Sequence, residues 1–299
     1  MNGGNKMSNE EMREYTYQWY PEKYNDENEP ILKITKSSFG SFQWCPKKYE
    51  FSYPLRLPQA TSEAMIKGTV VHNSREEFFN DFDITKAENL SFDELVTYNM
   101  GLHPIDDYTD MYKIISSFEA ERFLESKSKD KLDEYLPVVN EVLLDAEIVI
   151  PHAINPKCIL ERDYVVHLQG IVDRMFIQDG KYIPLELKTG PWKDYKLTMM
   201  RKEMAFYKLL IENATDESLA KAGISRDIPI TNWGWYYPQS NYIQVEEVKK
   251  SSTNAVYRGI TNLIKAYERK EFEAKYYYKT CSHCSFHSIC PAAQETEWL

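Results

Sequence analysis

The segment "GIVDRMFIQDGKYIPLELKTG", residues 170–190, carries Asp179-Gly180 between two stretches of strand-like composition. Asp-Gly is a favoured two-residue hairpin loop, because both of its positions tolerate the left-handed backbone that such a turn needs. That turn fixes a register in which Gln178 opposes Lys181 and Asp173 falls across from Glu186. Side chains alternate along a strand, so Asp173, Glu186 and Lys188 share one face. Val172, Phe176, Ile183, Leu185 and Leu187 share the other and are expected to pack into a core. Two facing carboxylates in a sheet repel each other unless something neutralises them. Either a divalent cation does so, or Asp173 pairs with Arg174 or Arg162 and Glu186 with Lys188 as ordinary ion pairs.

The rest of the chain supplies helices around this hairpin. A helix is expected to open near Thr35 or Ser37, and a second spans Thr61 to Asp81, with Met65, Gly68, His72 and Phe79 on one inward face. Residues 83–135 read as polar and helical, a candidate insertion in the main fold. From Glu141 onward β-branched and aromatic runs predict strands. A helix over Leu197 to Glu212 follows, then strands at "NWGWYYP" and "YIQVEEV". A last helix runs over Ser252 to Tyr267, with Val256, Ile260, Leu263, Ile264 and Tyr267 on one stripe. The class is α/β or α+β.

A chain of 299 residues that is 42% hydrophobic can bury a full core. Residues 1–30 are rich in acids (Glu10, Glu11, Glu14, Glu22, Asp26, Glu27, Glu29) and are expected to form a flexible arm ahead of a single domain over 31–299. The net charge of -10 argues against a broad basic surface that binds duplex through phosphates alone, and leaves room for a local basic groove. The sequence shows no secretory leader and no membrane-length apolar run. Five cysteines over this length make a disulfide framework improbable, and a reducing, cytoplasmic setting without membrane contact is expected.

Three of those cysteines stand in "CSHCSFHSIC", residues 281–290. Cys281, Cys284, His287 and Cys290 form a local set with zinc-ligand spacing, and an all-thiolate set that adds the distant Cys45 could hold zinc or an iron-sulfur cluster. Cys158, in the apolar stretch "KCIL", reads as an inert buried thiol.

Taken in order, "SFGSFQWCPKKYEF", "GTVVH", "GIVDR", "LELKTG" and "CSHCSFHSIC" resemble the motifs of the PD-(D/E)xK nuclease superfamily. The resemblance is to its RecB-like branch, which includes CRISPR-associated exonucleases and AddB-type helicase-nucleases. It implies a restriction-endonuclease-like core, a central mixed β-sheet flanked by helices, with a helical insertion over 83–135 and a C-terminal cysteine cluster. It also implies a metal site built from His72, Asp173, Glu186 and the carbonyl of Leu187, holding one or two Mg or Mn ions, with Lys188 acting on the attacking water. Where the family places Gln-x-x-x-Tyr, this chain has Glu203 and Tyr207, and the extra carboxylate is a candidate outer-shell metal contact. Cys45, Cys281, Cys284 and Cys290 would hold a 4Fe-4S cluster of structural role, with zinc the alternative.

The implied activity is a metal-dependent deoxyribonuclease, an exonuclease on single-stranded or end-containing DNA. Lys193, Lys196, Arg201 and Lys202 are candidates for tracking the backbone, and Trp192 and Tyr195 for stacking on bases. The alternative is a non-catalytic or weakly catalytic adaptor that hands DNA ends to an integrase or helicase partner.

Overall fold

The computed structural model describes residues 31–59, 63–104, 106–155, 158–277 and 281–294. The acidic arm expected over 1–30 lies outside them, as does the side chain of Cys158. The fold is mixed α/β, with a central sheet of strand order β1-β5-β6-β7-β8 and β2 also paired to β5. The strands are β1 (Leu32–Thr35), β2 (Val139–Ile150), β5 (Tyr164–Gln178), β6 (Lys181–Leu187), β7 (Asn232–Tyr237) and β8 (Tyr242–Glu247), and β3 (Ala153–Asn155) with β4 (Cys158–Ile159) forms a separate two-stranded pair. The chain divides into two compact units: Met1–Ala60 with Ala146–Gln169 and Asn254–Leu299, and Thr61–Asp145 with Gly170–Thr253.

In the first unit β1 runs parallel to the start of β5, from Leu32↔Val166 to Thr35↔Gln169. Helix α1 (Lys36–Trp44) starts directly after β1 because Thr35 caps it: its hydroxyl accepts from the Ser38 amide, and the Ser38 hydroxyl accepts in return from the Thr35 amide. It ends at Cys45, where Pro46 opens the short helix α2 (Pro46–Ser52). Helix α9 (Lys250–Arg269) places Val256, Ile260, Leu263, Ile264 and Tyr267 in the core, the stripe its spacing predicts. Gly259 lets it approach α1 closely, since a Cβ there would meet the Phe39 ring at 2.7 Å.

In the second unit Asp179 and Gly180 have φ of 50° and 71°. Two successive left-handed residues make the turn whose twist matches that of a strand pair. The antiparallel ladder then runs from Gln178↔Lys181 to Arg174↔Leu185, in the register expected from the turn. Beyond it β6 pairs parallel with β7, and β7 antiparallel with β8.

Helices α3 (Glu63–Asp81), α4 (Ile84–Ala87), α5 (Phe92–Gly101) and α6 (Thr109–Ser128) fill most of the stretch from Glu63 to Ser128. Leu185 and Leu187 pack with Val71, Met111, Tyr112, Ile115 and Tyr236, and Phe176 lies against that cluster. A second cluster joins Phe78, Phe79 and Phe82 to Leu95, Ala120, Phe123 and Tyr135. Met65 departs from its expected place on the inward face of α3, being 59% exposed. The helix buries Val71, Ser74, Arg75, Phe78 and Phe79 instead, so its inward stripe begins only where apolar partners face it.

Candidate active site

Four elements of the second unit bring acids to the end of the β5–β6 ladder. One position beyond the last paired residues, the strands are linked by a side chain: the amide of Leu187 donates to Asp173 Oδ2 at 3.1 Å. Asp173 Oδ1 accepts from the Tyr207 hydroxyl at 3.3 Å. Tyr207 comes from α7 (Leu197–Asn213) and is hydrogen-bonded with Glu186 as well. Burial, and then the charges of Glu186 and Asp173, push its pKa well above the usual phenol value, so the hydroxyl stays a donor. Asp173 and Glu186 are both buried.

His72 enters from α3. Its Nε2 lies 3.1 Å from the carbonyl oxygen of Leu187 and its Nδ1 3.2 Å from Glu141 Oε1, with Asp173 Oδ2 at 3.9 Å. Burial alone would lower its pKa, but the Glu141 hydrogen bond and the Asp173 charge outweigh that and raise it above the ordinary histidine value. His72, Glu141 and Asp173 bring three ligand atoms within 4.8 Å of one another. The donor set is one imidazole, several carboxylates and a backbone carbonyl, which suits a hard divalent cation.

Glu141 is the member that sequence reasoning missed. From Leu144 to Ile150 strand β2 alternates buried and exposed residues, with Glu147 and Val149 on the exposed face. Strict alternation would put Glu141 on that exposed face too. Its φ of 52° breaks the alternation. A left-handed glutamate is strained, and such strain concentrates where a side chain must be aimed. No feature of "VNEVLL" signals that backbone.

Lys188 follows Glu186 by two residues, and its Nζ lies 2.6 Å from Glu186 Oε1 and 2.7 Å from Glu203 Oε2. Burial opposes its charge, yet the two carboxylates raise its pKa well above the ordinary lysine value. These two contacts favour the ammonium form of Lys188. Glu203 contacts the lysine rather than His72, Glu141 or Asp173.

The residue order and the geometry agree with a known family. The sequence profile of the PD-(D/E)XK nuclease superfamily matches residues 33–291. The chain belongs to this superfamily. Its members are nucleases that use divalent metals, and His72, Glu141 and Asp173 form a group that could hold one. Among solved structures, similarity extends to SSO0001, with 14% identity, a TM-score of 0.41, and 88% of this chain and 87% of that chain covered. A candidate exonuclease from Eubacterium rectale is 11% identical with a TM-score of 0.39, and 94% of each chain is covered. Rai1 of Scheffersomyces stipitis is 12% identical with a TM-score of 0.27, covering 85% of this chain and 65% of that one. No curated protein matches in sequence.

The residues expected to contact DNA differ in exposure and in the partners they already have. Tyr195 is 80% exposed, and Lys193 is exposed beside it. Trp192 is stacked on Tyr242 at 4.4 Å and 14°, with its indole N–H donating to Asp194. Arg201 is held in a two-pronged ion pair with Glu246 at 2.6 and 2.5 Å. Lys196 donates to the Pro191 carbonyl, and Lys202 is half-buried.

In the first unit Cys45, Cys281, Cys284 and Cys290 line one cavity with Trp44, Phe51, Phe286 and His287. The Lys275 amide donates to Cys45 Sγ at 3.5 Å, and the Phe286 amide bonds Cys284, whose thiol burial pushes up. Among the described residues no three of these sulfurs lie within 4.8 Å of one another, whereas the His72 set does. No helix among the described residues is long and apolar enough to cross a membrane.

Proposed function

We propose that this chain is a divalent-metal-dependent deoxyribonuclease of the RecB-like branch, an exonuclease acting on single-stranded DNA or DNA ends. The observation that carries the reading is the convergence of His72, Glu141, Asp173 and the Leu187 carbonyl beside the Glu186–Lys188 pair. The four carboxylates Glu141, Asp173, Glu186 and Glu203 face Lys188 and His72, an excess of negative charge that favours cation binding. His72, Glu141, Asp173, Glu186 and the Leu187 carbonyl would hold Mg or Mn. When bound, such an ion acidifies water and neutralises charge on the scissile phosphate.

The chain's own residues do the rest. Lys188 donates to the attacking water and the phosphate, because its neighbours keep it charged. Tyr207 orients Asp173 by donating its hydroxyl to Oδ1. His72, whose Nδ1 lies 3.2 Å from Glu141, would offer a ring nitrogen to the ion. Tyr195 and Lys193 offer an exposed ring and charge a few residues after Lys188 in sequence, a pairing suited to single strands.

The four cysteines are the ligands of a 4Fe-4S cluster in this reading. Amides that donate to Cys45 and Cys284 fit thiolate ligands of such a cluster. A single zinc held by the same thiolates is the competing occupant. The cluster's role is structural, since hydrolysis moves no electron.

The test is incubation of pure protein with end-labelled single strands and duplexes, with Mn, Mg or chelator. Metal-dependent release of nucleotides from ends supports the proposal. Intact DNA at every metal concentration overturns it, and internal cuts alone overturn the exonuclease part.

A further inference from the structure

The ammonium of Lys188 is poised between two carboxylates, 2.6 Å from Glu186 Oε1 and 2.7 Å from Glu203 Oε2. The two acids come from different elements, Glu186 from β6 and Glu203 from α7. Both are shielded, with side chains 2% and 17% exposed. The contact with Glu186 has hydrogen-bond geometry and that with Glu203 is an ion pair at a similar distance, so the ammonium can turn toward Glu203 with little movement.

This matters because Glu186 has a second claim on it. If Glu186 is a metal ligand, as the proposed function holds, an arriving divalent cation and the Lys188 ammonium compete for one carboxylate. A positive charge stripped of its partner in a shielded site is costly. With Glu203 in reach, the ammonium keeps a carboxylate when Glu186 is taken. We propose that Glu203 is a positioning residue that receives Lys188 when a divalent cation occupies Glu186, so that metal binding is coupled to a hand-over of the lysine. Glu203 lies four residues before Tyr207, on the face of α7 that also supplies the hydroxyl to Asp173. One helix thus holds both the acid and the lysine that flank the cation.

A double-mutant cycle read by Mn2+ titration calorimetry tests this, with no turnover involved. Glu203→Gln keeps the shape and removes the charge, leaving the ammonium on Glu186. Mn2+ binding is expected to weaken about tenfold, within the range measured for coupled neighbours. Lys188→Met removes the competitor, so Mn2+ should bind more tightly than to the wild type. In the Lys188→Met background, adding Glu203→Gln should change affinity by less than about threefold, because the hand-over no longer exists. An equal loss in both backgrounds would mean that Glu203 is itself a ligand or acts only by its charge, and would overturn the proposal. Unchanged affinity in Glu203→Gln alone would overturn it as well. Thermal melts identify any misfolded variant, and Lys188→Gln replaces Lys188→Met if the latter does not fold. Failure of the metal reading shows differently: the wild type itself then takes up no Mn2+.

Discussion

His72 Nδ1 stands 3.2 Å from Glu141 Oε1, a contact that helps tie the proposed metal site to pH. Burial lowers the histidine pKa, but the Glu141 hydrogen bond and Asp173 raise it above the ordinary value of 6.5 overall. A protonated ring cannot ligate, so Mn2+ affinity should climb as pH rises through that raised pKa, with about one proton released per ion bound. In the metal-free protein the sign is opposite. The stability His72 contributes is full below the ordinary histidine pKa and is lost as pH rises through the folded value. Titrations across pH 6 to 9 (about the range that brackets a raised histidine) should show the slope, and His72→Gln should flatten it.

Asp173→Ala, Glu186→Ala and Lys188→Ala should each lower nuclease activity by at least ~100-fold, the lower end for removing a group that acts on the reacting atoms. Circular dichroism should report a folded protein in each case. Near-normal cleavage by one of them would remove that residue from the site.

Glu141→Gly separates aim from fold. Glycine adopts the left-handed conformation of position 141 without strain, so the melting temperature should hold or rise while the carboxylate is lost. Mn2+ affinity should fall at least about tenfold, since loss of even a group that supports a ligand has that effect. A variant with wild-type affinity would place Glu141 outside the metal centre.

For the cysteine cavity, protein purified without oxygen should be brown and absorb broadly near ~400 nm, and Cys45→Ala should bleach it. His287→Ala should change little. A colourless protein with stoichiometric zinc, sensitive to His287→Ala and indifferent to Cys45→Ala, would replace the cluster with a local zinc site.

Gly259→Ala should destabilise the first unit. The added methyl would come 2.7 Å from Phe39 Cζ and 2.5 Å from Gln43 Nε2, and the buried Phe39 ring has little room to withdraw. Overpacking of this kind costs about 1–3 kcal/mol, which a thermal melt resolves as a drop of several degrees.

What could be read from the sequence follows from how local its cause is. The hairpin was legible because Asp179-Gly180 sets its own backbone, and the register of Asp173 and Glu186 follows by counting. The α9 stripe was legible because it is buried along its whole length. Met65 was not, because periodicity marks a face but not where along a helix its partners begin. Glu141 was hidden by a left-handed backbone that tertiary packing imposes on an ordinary strand sequence. The ion pair that occupies Arg201 was hidden too, since Glu246 lies 45 residues away on β8. Charge counts in "LTMMRKEMAFYK" cannot show that an arginine is already spoken for.

The paired run from Gln178↔Lys181 to Arg174↔Leu185 also bears on how such a gene can change. Asp173 and Glu186 meet only because each is separated from the turn by a number of residues that leaves it on the same face. Inserting or deleting one residue in either arm turns that arm's acid to the opposite side, among Leu185 and Leu187, unless a bulge absorbs the change. Length variation in the two arms is therefore filtered by parity: surviving descendants should differ there by even numbers of residues, while segments outside the hairpin are free of that constraint.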